Sequence, residues 1–294
     1  MQRCSRLKYL PKNIARFRLP LAILLVTLIA LPLGCRSHQG EAEVTVVTTT
    51  SILETIVKEV GGDKVEVASL VVPSQCPGTG DLKPRAVEML ADADLFLWHS
   101  WPGEAFVESE LFPCADNPDL ETTRIAVEGN AGYWMTPGRQ AEAVDKVTAA
   151  LSQVNPPNKA YYEENASEIK EFITEKGNEI EGRLDAAGTT EVKVICAQMQ
   201  IGFVQWAGFD VVGSYKPSPT AAEIQSVIDT GKTSNVTLVI DNLQSGTDVG
   251  ATIAAEIPGA KHVILSNFPG GLEDTDTWGK AIEENVNRLL NALG

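Results

Sequence analysis

Lys159-Ala-Tyr-Tyr-Glu-Glu-Asn-Ala-Ser-Glu-Ile-Lys-Glu-Phe-Ile-Thr-Glu-Lys-Gly-Asn-Glu-Ile-Glu-Gly-Arg-Leu-Asp-Ala186 decides the architecture. Apolar side chains at Tyr161, Tyr162, Ile169, Phe172, Ile173, Ile180 and Leu184 fall on one side of a 3.6-residue repeat, and charged residues occupy most of the remainder. Apart from Gly177 and Gly182 the stretch has no breaker, and Asn155-Pro-Pro157 ends whatever precedes it. An ordinary globular helix runs to about 11–12 residues. A helix this much longer reads as a rigid connector between two halves of the chain.

Both halves alternate strand and helix. On the N-terminal side, Val44–Val47 is a β-branched run leading through Thr48-Thr-Thr-Ser51, with Ser51 as helix N-cap, into apolar helical positions Ile52, Ile56, Val57 and Val60. Gly61-Gly62 closes that helix; Val65–Val72 reads as strand, Pro84–Leu90 as helix, Asp94–Trp98 as strand and Ala141–Leu151 as helix. On the C-terminal side the strands are Val192–Cys196, Asp210–Gly213, Val236–Ile240 and His262–Leu265. The helices between and after them are Ile201–Ala207, Thr220–Asp229, Gly246–Glu256 and Asp276–Leu293. The expected fold is therefore α/β: two α/β lobes, each a mainly parallel sheet flanked by helices, joined by one long connector helix. The lobes are placed at 43–157 and 188–294, the connector at 158–187, and a ligand site between the lobes beyond the carboxyl ends of the strands.

The first 42 residues stand outside that pattern. Arg3, Arg6, Lys8, Lys12, Arg16 and Arg18 form a basic region, Leu21–Ala30 an apolar run, and Leu31-Pro-Leu-Gly-Cys35 a lipoprotein signal-peptidase site. The apolar run is short of the ~20 residues of a spanning helix. Residues 1–34 thus read as a lipoprotein signal peptide, Cys35 as the lipidated residue and 35–42 as a tether, placing the protein on the extracytoplasmic face of the cell membrane. Without the leader, 18 basic residues face 39 acidic ones. Such acidity excludes a nucleic-acid partner, and a monomer is expected. Cys76, Cys114 and Cys196 remain, an odd number that leaves either one disulfide and a free thiol or three thiols.

Several segments resemble one family. These are Val46-Val-Thr-Thr-Thr-Ser-Ile-Leu-Glu-Thr-Ile-Val-Lys-Glu-Val-Gly-Gly-Asp63, Ala91-Asp-Ala-Asp-Leu95 with Glu104, and Trp134 with Pro137. Pro156-Pro-Asn-Lys-Ala-Tyr-Tyr-Glu-Glu-Asn165, Pro217-Ser-Pro219 and Asn285-Val-Asn-Arg-Leu-Leu290 complete the set. In order and spacing they are similar to the TroA-like (cluster A-I) zinc- and manganese-binding receptors of ABC importers. The resemblance implies capture of a metal ion between two lobes, by histidines and carboxylates, and its delivery to an ABC permease.

The ligand positions depart from that family. The first histidine's place falls on Gly78-Thr79-Gly80, the second's on Gly132, the third's on Gln198 and the terminal carboxylate's on Asn267. Glycine offers no side-chain ligand, and amides bind zinc poorly beside imidazole or thiolate. Three readings of the cleft follow. A divalent or soft metal ion could be held by other donors: Cys76, His99, Cys196 and Met199, with Met135 nearby in sequence, have the softness that suits Cu(I). Each also has a bland role, as a packed hydrophobe or, for Cys76, a disulfide with Cys114. Alternatively a metal chelate or small organic solute could enter a neutral cleft walled by Trp101 and Trp134, with Trp98, Tyr133 and Phe268 close by. Aromatics at Trp98 and Trp134 serve packing equally well. An enzyme is not expected, since no nucleophile–base pairing or phosphate-cradling loop occurs among three histidines at 38, 99 and 262. Asp81, Glu128 and Asp241 are acidic loop-end residues with surface or capping roles as the default. Cys→Ser at 76 and 196 should abolish binding in the thiolate reading and Trp101→Ala should not; the organic-solute reading expects the reverse, in a dialysis or calorimetric assay.

Overall fold

Short apolar runs bounded by turn residues become the buried strands of two parallel sheets in the computed structural model, which describes residues 42–79, 84–127 and 131–294. The first sheet is built from β1 (Val44–Thr48), β2 (Val65–Ser69), β3 (Leu95–Trp98) and β4 (Glu121–Arg124), in the order β2-β1-β3-β4. Helices α1 (Ser51–Gly61) and α2 (Pro84–Ala91) make its crossovers, and α3 (Phe112–Cys114) is a short turn between β3 and β4. Helix α4 (Pro137–Val154) and then α5 (Lys159–Ala186) follow. The second sheet repeats the order as β6-β5-β7-β8, with β5 (Lys193–Ala197), β6 (Asp210–Tyr215), β7 (Leu238–Asn242) and β8 (Lys261–Leu265). Helices α6 (Ile201–Trp206), α7 (Ala221–Ser234), α8 (Asp248–Glu256) and α9 (Trp278–Leu293) accompany it. All pairings in both sheets are parallel. Central strands β3 and β7 are buried at every residue, as a parallel sheet covered on both faces requires.

Three expectations from the sequence need correction. Strand β4 escaped the reading because Glu-Thr-Thr-Arg is mostly exposed and carries no apolar alternation; as an edge strand it pairs with β3 alone. The strand expected through Val72 ends at Ser69, the last residue that finds a partner on β1. The N-cap of α1 is Thr50, and Ser51 is the first helical residue. The Ser51 hydroxyl is used elsewhere, as shown below.

Helix α5 touches both halves of the fold. Its buried face is Tyr162, Ala166, Ile173, Gly177, Ile180 and Leu184. A Cβ at Gly177 would overlap the Pro137 ring, so the glycine permits the close approach of α4. Asn165 Nδ2 donates to the Val60 carbonyl of α1 at 2.9 Å. Further along, Lys176 and Arg183 both pair with Glu283 of α9, and Arg183 Nη2 donates to Asn287 Oδ1 at 2.6 Å. The apolar cluster is continuous across the halves: Ile52, Leu53, Trp134 and Met135 belong to the same buried group as Phe203, Phe268, Trp278 and Ile282. Exposure of so much apolar surface opposes wide separation of the lobes. Ile180→Ala removes a fully buried side chain from the spine. It is expected to cost about 2–5 kcal/mol, read as a lower urea midpoint at unchanged slope; a cost below about 1 kcal/mol would show that the α5 face contributes little to the fold.

Candidate functional site

The carboxyl ends of β1 and β3 deliver two short segments to the interlobe region, Thr48–Ser51 and His99–Glu104. His99 is buried, and its Nε2 lies 2.7 Å from Thr50 Oγ1 while Nδ1 has no hydrogen-bond partner among the described residues. Burial pushes the His99 pKa well below the ordinary 6.5, so the imidazole is neutral. Glu104 has no accessible surface; its Oε2 accepts the backbone N–H groups of His99 at 2.9 Å and Trp101 at 3.1 Å. Burial raises its carboxyl from 4.5 to about 7, against the opposing pull of the Thr49 hydroxyl and of the Trp101, His99 and Ser100 backbone. The Thr49 hydroxyl lies near enough to favour the charged form, yet neither Thr49 Oγ1 nor Glu104 Oε1 completes a hydrogen bond among the described residues.

Aromatic rings continue this arrangement across the lobe boundary. His99 stacks flat on Trp101, centroids 3.7 Å apart and planes 1° from parallel, and meets Trp134 edge-on at 4.3 Å. Trp101 lies 6.3 Å from Phe268 of the second lobe at an interplanar angle of 18°. Hydrogen bonds fasten the same boundary. Ser51 Oγ donates to the Pro269 carbonyl at 2.7 Å, Gln244 Nε2 to the Pro73 carbonyl at 2.8 Å, and Trp278 Nε1 to the Met135 carbonyl at 3.1 Å. Gly202 accommodates the Tyr133 ring, which a Cβ there would overlap.

The second lobe answers with carboxamides. Gln200 Nε2 donates to Asn242 Oδ1 at 3.0 Å and to Asn267 Oδ1 at 2.9 Å, which brings the ends of β5, β7 and β8 together. Gln244 accepts from the Asn267 backbone N–H at 3.1 Å and donates to Ser266 Oγ at 2.9 Å. All four amide side chains are buried. Asp241, on the same strand, accepts from the Tyr215 hydroxyl at 2.5 Å and pairs with His262 Nε2 at 2.7 Å, so this carboxylate is committed inside the second lobe. Burial is the largest influence on Asp241 and raises its pKa.

Sequence comparison extends the geometry. Residues 46–292 match the family model of ZnuA, zinc-uptake complex component A, periplasmic. The chain belongs to the ZnuA family. Relatives in that family's neighbourhood include the high-affinity zinc uptake system protein ZnuA of Bacillus subtilis, 22% identical over 88% of this chain and 91% of the relative. The manganese ABC transporter substrate-binding lipoprotein PsaA of Streptococcus pneumoniae is 27% identical over 57% of this chain and 60% of its own length. The fold is shared with the solved periplasmic zinc-binding protein TroA of Treponema pallidum, at TM-score 0.74 and 14% identity, over 86% of this chain and all of that one. This ZnuA-family chain is thus of the metal ABC importer class of solute receptors.

Its site nevertheless differs from what the sequence pattern suggested. Of the family-derived positions, Gly78 packs against Gly103, Gly132 is buried in the turn before Trp134, and Thr79 ends the 3-10 turn that starts at Pro77. Gln198 is exposed; Gln200, two residues on in the same 3-10 turn, is the one that reaches Asn267. Cys196 is fully buried in β5 among core hydrophobes, and burial pushes its thiol up to about 12. Cys76 and Met199 are half-buried, and no disulfide joins Cys76, Cys114 and Cys196 among the described residues. Among those residues, too, no three His, Cys, Asp or Glu side chains gather as a cation site would require. Trp134 has no accessible surface and backs the His99–Trp101 stack instead of walling the cleft, while Trp98 turns to Phe112 in a separate cluster. Asp81 and Glu128, like Cys35, lie outside the described residues. Glutamine and asparagine at strand ends were visible in the sequence; that Gln200, Asn242 and Gln244 converge was not.

The Glu104 carboxyl gives a pH signature. Its folded pKa of about 7 exceeds the ordinary 4.5, so the folded state holds the proton more tightly and stability falls as pH rises through that window. Glu104→Gln removes the titration. The variant should therefore gain on the parent as pH is raised from 4.5 to 7, by up to about 3 kcal/mol at 1.36 kcal/mol per pKa unit, in parallel urea titrations. A gap that does not change with pH would show that Glu104 does not titrate there.

Proposed function

We propose that this protein is the extracytoplasmic receptor of an ABC metal importer, anchored by a lipid at Cys35, that takes its cargo between the two lobes and hands it to a membrane permease. The observation that carries the reading is the family match from residue 46 to 292, a span that takes in both sheets and the connecting helix. Among the described residues no helix is long and apolar enough to cross a membrane. Relatives named for zinc and manganese uptake make a divalent or soft metal ion the first cargo. Binding does not require covalent chemistry, and the role is receptor rather than enzyme.

A second cargo class is favoured by one specific feature, the buried amides of Gln200, Asn242 and Asn267 set near the Trp101–Phe268 contact. Amides and aromatic faces are neutral recognition groups, which suit a metal already wrapped in a chelate or a small organic solute. The two classes separate in one experiment. Residues 36–294, purified under reducing conditions without chelator, are examined by elemental analysis and native mass spectrometry, then titrated with Zn²⁺, Mn²⁺ and Cu(I). Stoichiometric metal that survives dialysis is the expected result for the ion. A co-purifying organic mass, lost together with metal, is expected for the chelate. Uptake of neither would overturn the receptor reading. In the chelate case Asn267→Ala and Gln200→Ala should each weaken binding about tenfold, the worth of a hydrogen bond or two left unmade; a bare ion held elsewhere would leave both affinities unchanged.

A further inference from the structure

One side chain holds the turn that brings Trp101 to the lobe boundary. Ser100 lies at φ +66°, a left-handed conformation that a non-glycine residue adopts at a cost of order 1 kcal/mol and keeps only when its surroundings impose it. The imposing group is Glu104. Its Oε2 accepts the N–H groups on either side of Ser100, from His99 and Trp101. The Glu104 N–H in return donates to the Trp101 carbonyl at 2.8 Å, closing Trp101-Pro-Gly-Glu104 on itself. With the turn closed, the His99 and Trp101 rings lie flat on one another and Trp101 stands beside Phe268. Adjacent residues complete the circuit: Thr50 holds His99, and Ser51 holds Pro269, the neighbour of Phe268.

We propose that Glu104 is the positioning residue of the cargo cleft: by gathering the backbone of His99–Trp101 it sets Trp101 against Phe268 and so couples cleft shape to lobe contact. The proposal rests on the reading of this cleft as the cargo site. Glu104 itself touches no cargo, being sealed from solvent. Its other oxygen, Oε1, has no hydrogen-bond partner among the described residues, nor does the nearby Thr49 hydroxyl. A glutamine there could keep the acceptor for the two N–H groups and offer its amide nitrogen to Thr49 Oγ1.

The test compares Glu104→Ala, Glu104→Gln and Glu104→Asp with Leu111→Ala, a fully buried core truncation in the same lobe. Aspartate keeps the charge but withdraws the oxygens by about one C–C bond, 1.5 Å. Three quantities are read: melting temperature, the indole ¹H–¹⁵N resonance of Trp101 (assigned with Trp101→Phe), and affinity for whichever of Zn²⁺ or Mn²⁺ the parent binds. Glu104→Ala and Glu104→Asp should move the Trp101 resonance and weaken binding about tenfold or more, for two lost hydrogen bonds. Glu104→Gln should restore both, and Leu111→Ala should lower the melting temperature while leaving Trp101 in place. If Glu104→Asp leaves the resonance unmoved, or Leu111→Ala moves it as far, Glu104 is not a positioning residue. A parent protein that binds neither ion would count against the cargo reading, whereas the resonance would still decide the role of Glu104.

Discussion

The two sheets keep their carboxyl ends facing one another because helix α5 is a single stiff rod packed against both halves. Its buried face spans from Tyr162 to Leu184, and a rod of 28 residues rises about 42 Å at 1.5 Å per residue. At one part of its length it is joined to α1 and α4, by Asn165 on the Val60 carbonyl and by Gly177 under Pro137. Toward its end the Lys176–Glu283–Arg183 group fixes α9, which covers the second sheet. Such half-exposed ion pairs contribute modestly on their own. Their value here is directional, since they add to an apolar seam that already holds Trp278 and Ile282 in the common core.

Given that frame, the interlobe boundary is fastened by specific hydrogen bonds. Backbone carbonyls at Pro73, Met135 and Pro269 each receive a side-chain donor from the opposite lobe. Buried carbonyls left unsatisfied would be costly, so these bonds favour one relative placement of the lobes over others. Any wide opening would break these bonds and expose the shared apolar cluster at once. Among the described residues, the polar groups there include a buried histidine and glutamate on the first lobe and four carboxamides on the second. This donor set is unlike the imidazole and carboxylate groups that usually fix Zn²⁺ or Mn²⁺, and it is the most individual property of the protein.

Local pattern served unevenly along the chain. Strands β1, β3, β5, β7 and β8 were legible because each is a short, strongly apolar run. Strand β4 was not, because an edge strand need not be apolar and Glu121–Arg124 looks like loop. Ser51 was misjudged for a related reason: a serine before an apolar helical run has the composition of a cap, and only its contact with Pro269, 218 residues away, shows the hydroxyl to be engaged across the lobes. Similarly, Cys196 has the chemistry of a metal ligand, and only the fold shows that it lies buried in the core of β5.

Sequence by itself determined the α/β alternation, the connecting helix at Lys159–Ala186, the family, and the loss of the family's histidines, since periodicity and residue identity are local properties. Tertiary structure alone decided which groups meet. Gln200 in place of Gln198 reaches Asn267, Glu104 turns inward onto the His99 and Trp101 N–H groups beside the left-handed Ser100, and Trp134 backs the His99–Trp101 stack while Trp101 stands beside Phe268. Parallel sheets bring distant strand ends into one place, and the rotation of a single turn at each end selects the side chain that arrives there.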